Sequence, residues 1–351
     1  MNGRERFKAA LEGRKPDIIP MIPGNNNAFL CHFYDVTVQQ LLEAPERYAE
    51  LNVRFVKEFG FDLVRPNVGY IFYGCGPELG VEWKFVESDF PGASGGCVET
   101  EADLNRFRIP EEPSGYFKKY LDIHRILTKE VGDTIYVRGA ALGPFSAGCF
   151  LRGLQDFLLD SAVNLDLFHR VMKKSVELSN YFLEQVSLTG VHDMVLNEVY
   201  LTPGNLSPLS FEKNVNPYIQ QVLASHRSRN LSFYQQDFMG VGNLPNGTSK
   251  KGLASAIYYG TKENPEVIRE SLNLPIPGHP ALVSVSGRSL VQRDIHDILD
   301  FIRKGVDIIL ELGARNPCIY LVSVQAAGRK EAQAIAEKIH RIRELRESLP
   351  L

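Results

Sequence analysis

Residues 1–24, MNGRERFKAALEGRKPDIIPMIPG, place a short helix directly ahead of a buried strand. Phe7, Ala10 and Leu11 share one helical face, and Gly13 and Pro16 end the helix. Ile18, Ile19, Met21 and Ile22 then form an apolar run punctuated by Pro20 and Pro23, as a buried strand would. From this start, strand-like runs alternate with helical periods, the pattern of a parallel sheet with crossover helices. Further strands are expected at 61–66, 134–141, 193–199, 231–238, 253–259, 281–286 and 318–324. Helices are expected at 45–60, 117–131, 151–159, 165–188, 208–227, 290–304 and 329–346. The sum is an α/β protein, a TIM-type (β/α)8 barrel with an N-terminal helix, forming one domain over residues 1–351. Residues 70–113 break the rhythm with Gly and Pro, and an inserted hairpin over the barrel mouth is expected there.

Composition narrows the functional classes. A 44% hydrophobic fraction supports a large core, and a net charge of −3 gives no basic footprint for nucleic acid or an anionic membrane. No stretch approaches the ~20 apolar residues of a membrane span, and the charged N-terminus lacks an apolar signal core. Cys31, Cys75, Cys97, Cys149 and Cys318 are scattered without a C-x-x-C pair, so a reduced, cytoplasmic protein is expected. Glycine-rich dinucleotide and P-loop patterns are missing.

In a barrel of this type the active site lies in the loops after the carboxyl ends of the strands. That rule nominates Asn25, Asn26 and Asn27 after the first strand, and Arg65 and Asn67 after the second. Phe145 follows the third, Glu198 and Tyr200 the fourth, Gln235 and Asp237 the fifth, and Ser286 and Arg288 the seventh. Asn25, Asn27, Arg65, Asn67, Phe145, Tyr200, Gln235 and Arg288 are expected to bind substrate. Asp237 and Glu198 are expected to serve as acid–base groups or as two oxygen ligands of a metal such as zinc. Plainer roles compete: Asp237 could pair with Arg65, Arg138 or Arg288, Arg288 with Asp294, and Glu198 could be a hydrogen-bonded structural group. His124 and His169 fall within helical stripes, and His296 sits among acids on a solvent-facing helix.

The opening stretch resembles the start of the uroporphyrinogen decarboxylase superfamily, whose members are decarboxylases or corrinoid-linked methyltransferases. The segment from Arg138-Gly139 through GPF at 143–145 is similar to the third-strand region of that family, ahead of a helix with Gly153. The run from Glu198 through Leu206-Ser207-Pro208 to Pro217-Tyr218 is similar to its fourth strand and following helix. Two departures shape what the resemblance implies. The decarboxylases carry an early R-Q-A-G-R motif that grips propionates, whereas this chain reads IPGNNNAFLCHF, with no Arg between Lys15 and Arg47. A porphyrinogen with many carboxylates would be poorly held without those cations. The methyltransferases bind zinc through an H-x-C pair at the fifth strand and a later Cys near the eighth; here Gln235 and Asp237 occupy the first two positions, and Cys318 lies too early for the third.

The resemblance therefore implies transfer of a methyl group from a small methylated donor, such as an aryl methyl ether, to a corrinoid protein. In that scheme the corrinoid is carried by a partner, zinc is a possible cofactor, and the rim with the 70–113 insertion is the docking surface. Two alternatives stand beside it. One is a decarboxylase-like lyase in which Arg65, Arg138 or Arg288 grips a carboxylate. The other is a barrel that binds without catalysis.

Overall fold

The structure, a computed structural model, describes residues 1–66, 76–84, 92–201, 204–226, 231–235, 281–311, 313, 316–324, 326–349 and 351. Its parallel strands are β1 (Met21–Asn25), β2 (Leu63–Val64), β5 (Tyr136–Leu142), β6 (Asp193–Glu198), β7 (Leu231–Gln235), β8 (Ala281–Val285) and β9 (Pro317–Ser323); β3 (Glu82–Lys84) and β4 (Gly92–Gly95) form an antiparallel pair. Two parallel sheets result, ordered β1-β9-β8 and β2-β5-β6-β7. The amide of Asp62 donates to the Met21 carbonyl at 2.9 Å, and that of Tyr136 to the Asp62 carbonyl at 3.0 Å, so backbone bonds link β1, β2 and β5. The seven strands agree with seven of the eight expected from the sequence. The eighth, at 253–259, and the polar segment 240–252 lie outside the described residues. No closed barrel is seen among those described.

The first strand begins at Met21 rather than at Ile18, and runs through Pro23 to Asn25. Ahead of it, α1 (Gly3–Leu11) opens with a capping box: the Asn2 side chain accepts from the Glu5 amide, and Glu5 accepts from the Asn2 amide. Helices α2 (Asn27–Tyr34), α3 (Val38–Glu43) and α4 (Pro45–Phe59) follow β1. The expected insertion contains the β3/β4 hairpin and a short helix α5 (Glu101–Arg106), capped by Thr100. Then come α6 (Gly115–Val131), α7 (Pro144–Arg152), α8 (Leu154–Val163) and α9 (Leu165–Ser187). Sequence periodicity suggested one helix at 151–159. Instead Pro144 starts a helix directly after β5, and Gly153, at φ 89°, breaks it before α8 begins. Past β6, a turn α10 (Pro208–Ser210) and a π-helical stretch lead into α11 (Asn216–Ser225); α12 (Gly287–Gln292), α13 (Ile295–Glu311) and α14 (Arg329–Ser348) complete the helices.

Strand alternation fixes which side chains face inward. On β5, Gly139 faces outward: a Cβ there would meet Val186 of α9 at 2.4 Å. Tyr136 and Arg138 therefore face in. Arg138 ion-pairs with Asp193, its register partner on β6, and its guanidinium lies 5.3 Å from the centre of the Phe7 ring. Phe7 meets Tyr136 edge-on at 5.0 Å, and packs with Ile22, Leu63, Leu282, Cys318 and Tyr320 in a cluster separate from the sheet–helix core. Helix α1 thus seals the amino-terminal end of the strands. Asp62 adds to the seal, accepting from Arg6, from Arg346 at 2.7 Å and from the Met21 amide at 2.8 Å. Arg138, considered above as a carboxylate grip, is committed to this floor and lies at the end opposite the expected site.

Candidate functional site

Glu198 ends β6, and its register explains its orientation. Arg138 and Asp193 are inward partners; two steps on, Ala140 faces Val195, and two more, Leu142 faces Asn197. Asn197 therefore points into the sheet's inner face, and Glu198 points out toward the helices. There Glu198 is fully buried, with one carboxylate oxygen accepting from the Phe145 amide at 2.9 Å and the other from the Ser146 amide at 2.7 Å. These are first-turn amides of α7, which otherwise lacks a side-chain cap, so Glu198 caps that helix from across the fold. Gly143 makes room: a Cβ at that position would sit 2.3 Å from the carboxylate. Burial pushes the Glu198 carboxyl up to about 7, against the pull of the Ser146 hydroxyl and the two amides.

This arrangement gives Glu198 the hydrogen-bonded structural task rather than the acid–base or metal-binding one. Both oxygens are taken by amides and the group faces away from the inner surface, so acid–base contact with a substrate or metal ligation would require α7 to lose its cap. Phe145, expected to line the substrate, is likewise fully buried, its ring 5.5 Å from that of Phe157; its contribution is the amide. Tyr200 lies at the rim, half-buried. Its amide donates to the Ser146 hydroxyl at 3.3 Å, its ring is 5.2 Å from Phe150, and Phe150 stacks on Trp83 of the hairpin at 5.4 Å. Burial raises the Tyr200 hydroxyl to about 12, with Cys149 adding to the shift. The hairpin is thereby tied to α7: the Val98 amide also donates to the Leu151 carbonyl at 2.9 Å.

The remaining nominated residues are distributed as follows. Asn25 occupies the last position of β1. Asn27 is buried in the first turn of α2, accepting from the Tyr48 hydroxyl at 3.0 Å. Arg65 follows β2 and is half-buried, close enough to Arg138 for the two cations to interact. Gln235 ends β7, in register with Glu198. Arg288 is exposed on α12, and its Nε donates to Gln292 at 2.9 Å rather than to Asp294. Asn67 and Asp237 lie outside the described residues. Asn26, nominated with its neighbours after the first strand, and two inner-face residues that the sequence reading did not nominate, Asn197 and Ser284, share one feature. Each is buried and carries an oxygen with no hydrogen-bond partner. Alternation along β6 was the available signal for Asn197.

The zinc expectation can be tested against the donors in place. Among the described residues no three His, Cys, Asp or Glu side chains gather as a metal site. Glu198 is engaged by amides, and Cys318 is wholly buried in the floor cluster, its thiol raised well above its ordinary value by that burial. The described residues do not fit a zinc site. His124 is also buried, its Nδ1 2.9 Å from the Tyr120 carbonyl, and burial lowers it to about 4.

A family model described as uroporphyrinogen decarboxylase (URO-D) matches residues 2–274. The chain belongs to that family. A solved methyltransferase from Methanosarcina mazei superposes with a TM-score of 0.74 at 16% identity, covering 98% of this chain and 99% of that one. A candidate vitamin-B12-independent methionine synthase from Listeria monocytogenes gives a TM-score of 0.50 at 11% identity, covering 95% and 96%. At these identities the likeness is one of fold. Comparison with curated proteins finds no match. No described helix is long and apolar enough to cross a membrane.

Proposed function

We propose that this URO-D family member is a methyltransferase that moves a methyl group from a small, uncharged methylated compound to a corrinoid carried by another protein. The observation that carries the proposal is where the charge sits. Arg6, Arg138 and Arg346 are bound to Asp62 or Asp193 on the floor, while the described residues at the ends of β1 and β6 include the neutral, buried Asn26 and Asn197. Such a lining suits an ether or similar neutral donor better than a polycarboxylate. An aryl methyl ether is the favoured class.

In the proposed reaction the donor's oxygen–methyl bond breaks as the Co(I) corrinoid supplies both electrons of the new bond to carbon. The oxygen leaves with its bonding pair and takes up one proton. Asp237, two residues past the end of β7, is the proposed proton source, since Glu198 is turned to α7. The hairpin packed on α7 through Trp83 and Phe150 is proposed as part of the surface that receives the corrinoid protein.

A second reading, a small-acid lyase, is supported by the decarboxylase description of the matching family model, and needs a carboxylate grip other than Arg138, which is committed to Asp193. A single assay separates the two. Anaerobic incubation with cob(I)alamin and methoxybenzenes bearing a trideuterated methyl should yield the demethylated phenol and labelled methylcobalamin. Absence of both, with carbon dioxide released from a small carboxylate instead, would establish the lyase.

A further inference from the structure

Helix α7 is buried from Pro144 to Leu151 and is gripped at both ends. At its start the two Glu198 oxygens accept from the Phe145 and Ser146 amides, at 2.9 and 2.7 Å. At its end, roughly 8 Å further along the axis, it holds the β3/β4 hairpin. There the Trp83 ring stacks on Phe150 at 5.4 Å, and the Val98 amide donates to the Leu151 carbonyl at 2.9 Å. Arg152 donates to the Val98 and Glu99 carbonyls at 3.2 and 2.9 Å. The two backbones meet without slack: a Cβ on Gly96 would lie 2.4 Å from the Leu151 carbonyl oxygen. Close-packed interiors transmit strain, so a shift at the start of α7 reaches the hairpin.

The grip at the start depends on the charge of Glu198. An ionised carboxyl only accepts, and can serve two amides at once. A neutral carboxyl carries a hydroxyl hydrogen, which would point at an amide donor. Taking up a proton therefore costs Glu198 one of its two amide bonds and frees the first turn of α7 to move. Burial pushes this carboxyl up to about 7, against the Ser146 hydroxyl and the two amides, so both forms are populated near neutral pH. The surrounding elements bring no competing charge. The buried residues of α9 and α11 are uncharged, β5 is apolar from Gly139 to Leu142, and Gln235 on β7 is neutral. Asp160 of α8 is bound to Arg152 at the far end of α7. The titratable neighbours are Cys149 on α7 and Tyr200 past β6, whose hydroxyl is pushed up to about 12.

We propose that Glu198 and α7 form a proton-operated link between the end of β6 and the hairpin: with Glu198 ionised the hairpin is held against α7, and with Glu198 protonated that hold is loosened. The proton relieves the burial of a charge, so the protein as a whole gains stability while the hairpin gives up its fixed seat. The link does not depend on the reaction proposed above.

Trp83 is the single tryptophan of the chain, so its emission reports directly on the hairpin. The test is a titration of that emission in the full chain from about pH 5.5 to 8.5, the span of one proton around a carboxyl near 7, with far-UV circular dichroism recorded alongside. Acidification should move the emission maximum to longer wavelength with a single-proton midpoint near 7, while the dichroism stays constant. Glu198→Gln should hold the emission at its acid value at every pH. Ser146→Ala removes a hydroxyl that favours the ionised form and should move the midpoint upward; it decides the matter if Glu198→Gln does not fold. Wild-type emission that ignores pH, dichroism that follows the emission, a titration that persists in Glu198→Gln, or an unmoved midpoint in Ser146→Ala would each overturn the proposal.

Discussion

Replacing Glu198 by Ala should destabilise the protein severely, and Gly143 is the position that reveals why. The substitution strips the Phe145 and Ser146 amides of their acceptor in a fully buried setting. A buried donor left unpaired costs ~1–3 kcal/mol, so losing both costs about 2–6 kcal/mol. Gly143→Ala attacks the same contact from the other side, because its new Cβ would lie 2.3 Å from the Glu198 carboxylate. Relieving such an overlap requires the carboxylate to move off the amides, a cost of ~1–3 kcal/mol. In the double variant the obstructing carboxylate is already gone. Gly143→Ala should then cost little, and the cycle should show coupling on the order of 1–3 kcal/mol. Urea denaturation of the four proteins measures this, provided the m-values agree. A loss under about 1 kcal/mol for Glu198→Ala, or simple additivity in the cycle, would refute the capping role.

Other consequences are as direct. Because burial raises the Glu198 carboxyl from 4.5 to about 7, the folded state holds its proton more tightly than the unfolded chain does. Its contribution to stability is therefore complete below pH 4.5 and is lost as pH rises through 7, by on the order of 3 kcal/mol. Glu198→Gln removes the titration, so the difference between wild type and variant should change across that window in denaturation series; a pH-independent difference would contradict it. Arg138→Leu leaves Asp193, 4% exposed, without its ion-pair partner, and should cost ~3–5 kcal/mol. The same variant should leave the calorimetric response to a small aromatic carboxylate unchanged, whereas loss of a carboxylate-gripping Arg138 would weaken that response. Asp237→Ala should lower kcat for demethylation with little change in KM, as loss of a proton donor does, and restoring turnover with added small acids would identify that role.

Much of the architecture was legible from periodicity alone. The apolar runs at 193–199 and 318–324 and the helical stripe at 165–188 recur in β6, β9 and α9 almost residue for residue, because buried strands and long amphipathic helices write their packing into short-range pattern. The break at Gly153 was harder: residues 144–163 are rich in apolar side chains on both sides of Arg152, and a glycine with positive φ divides them. The site was legible by position but not by direction. That Glu198 would face outward depends on Arg138 pairing with Asp193, residues 55 apart in the chain. Once that pair fixes the register, Asn197 becomes an inward group, although nothing local distinguishes it from its acidic neighbour. The floor was similarly hidden, since Arg6, Asp62 and Arg346 meet only after the chain has closed on itself.

The central claim, methyl transfer rather than decarboxylation, is met most directly by offering both chemistries to the same enzyme. Purified anaerobically, it should be given cob(I)alamin with 2-methoxyphenol in one vessel, and uroporphyrinogen or a small aromatic acid in another. The account predicts loss of the Co(I) absorbance with stoichiometric 1,2-dihydroxybenzene in the first, abolished when Asp237 is replaced, and no carbon dioxide above background in the second. Carbon dioxide release from a carboxylate, with the cobalt spectrum unchanged by the ether, would contradict it.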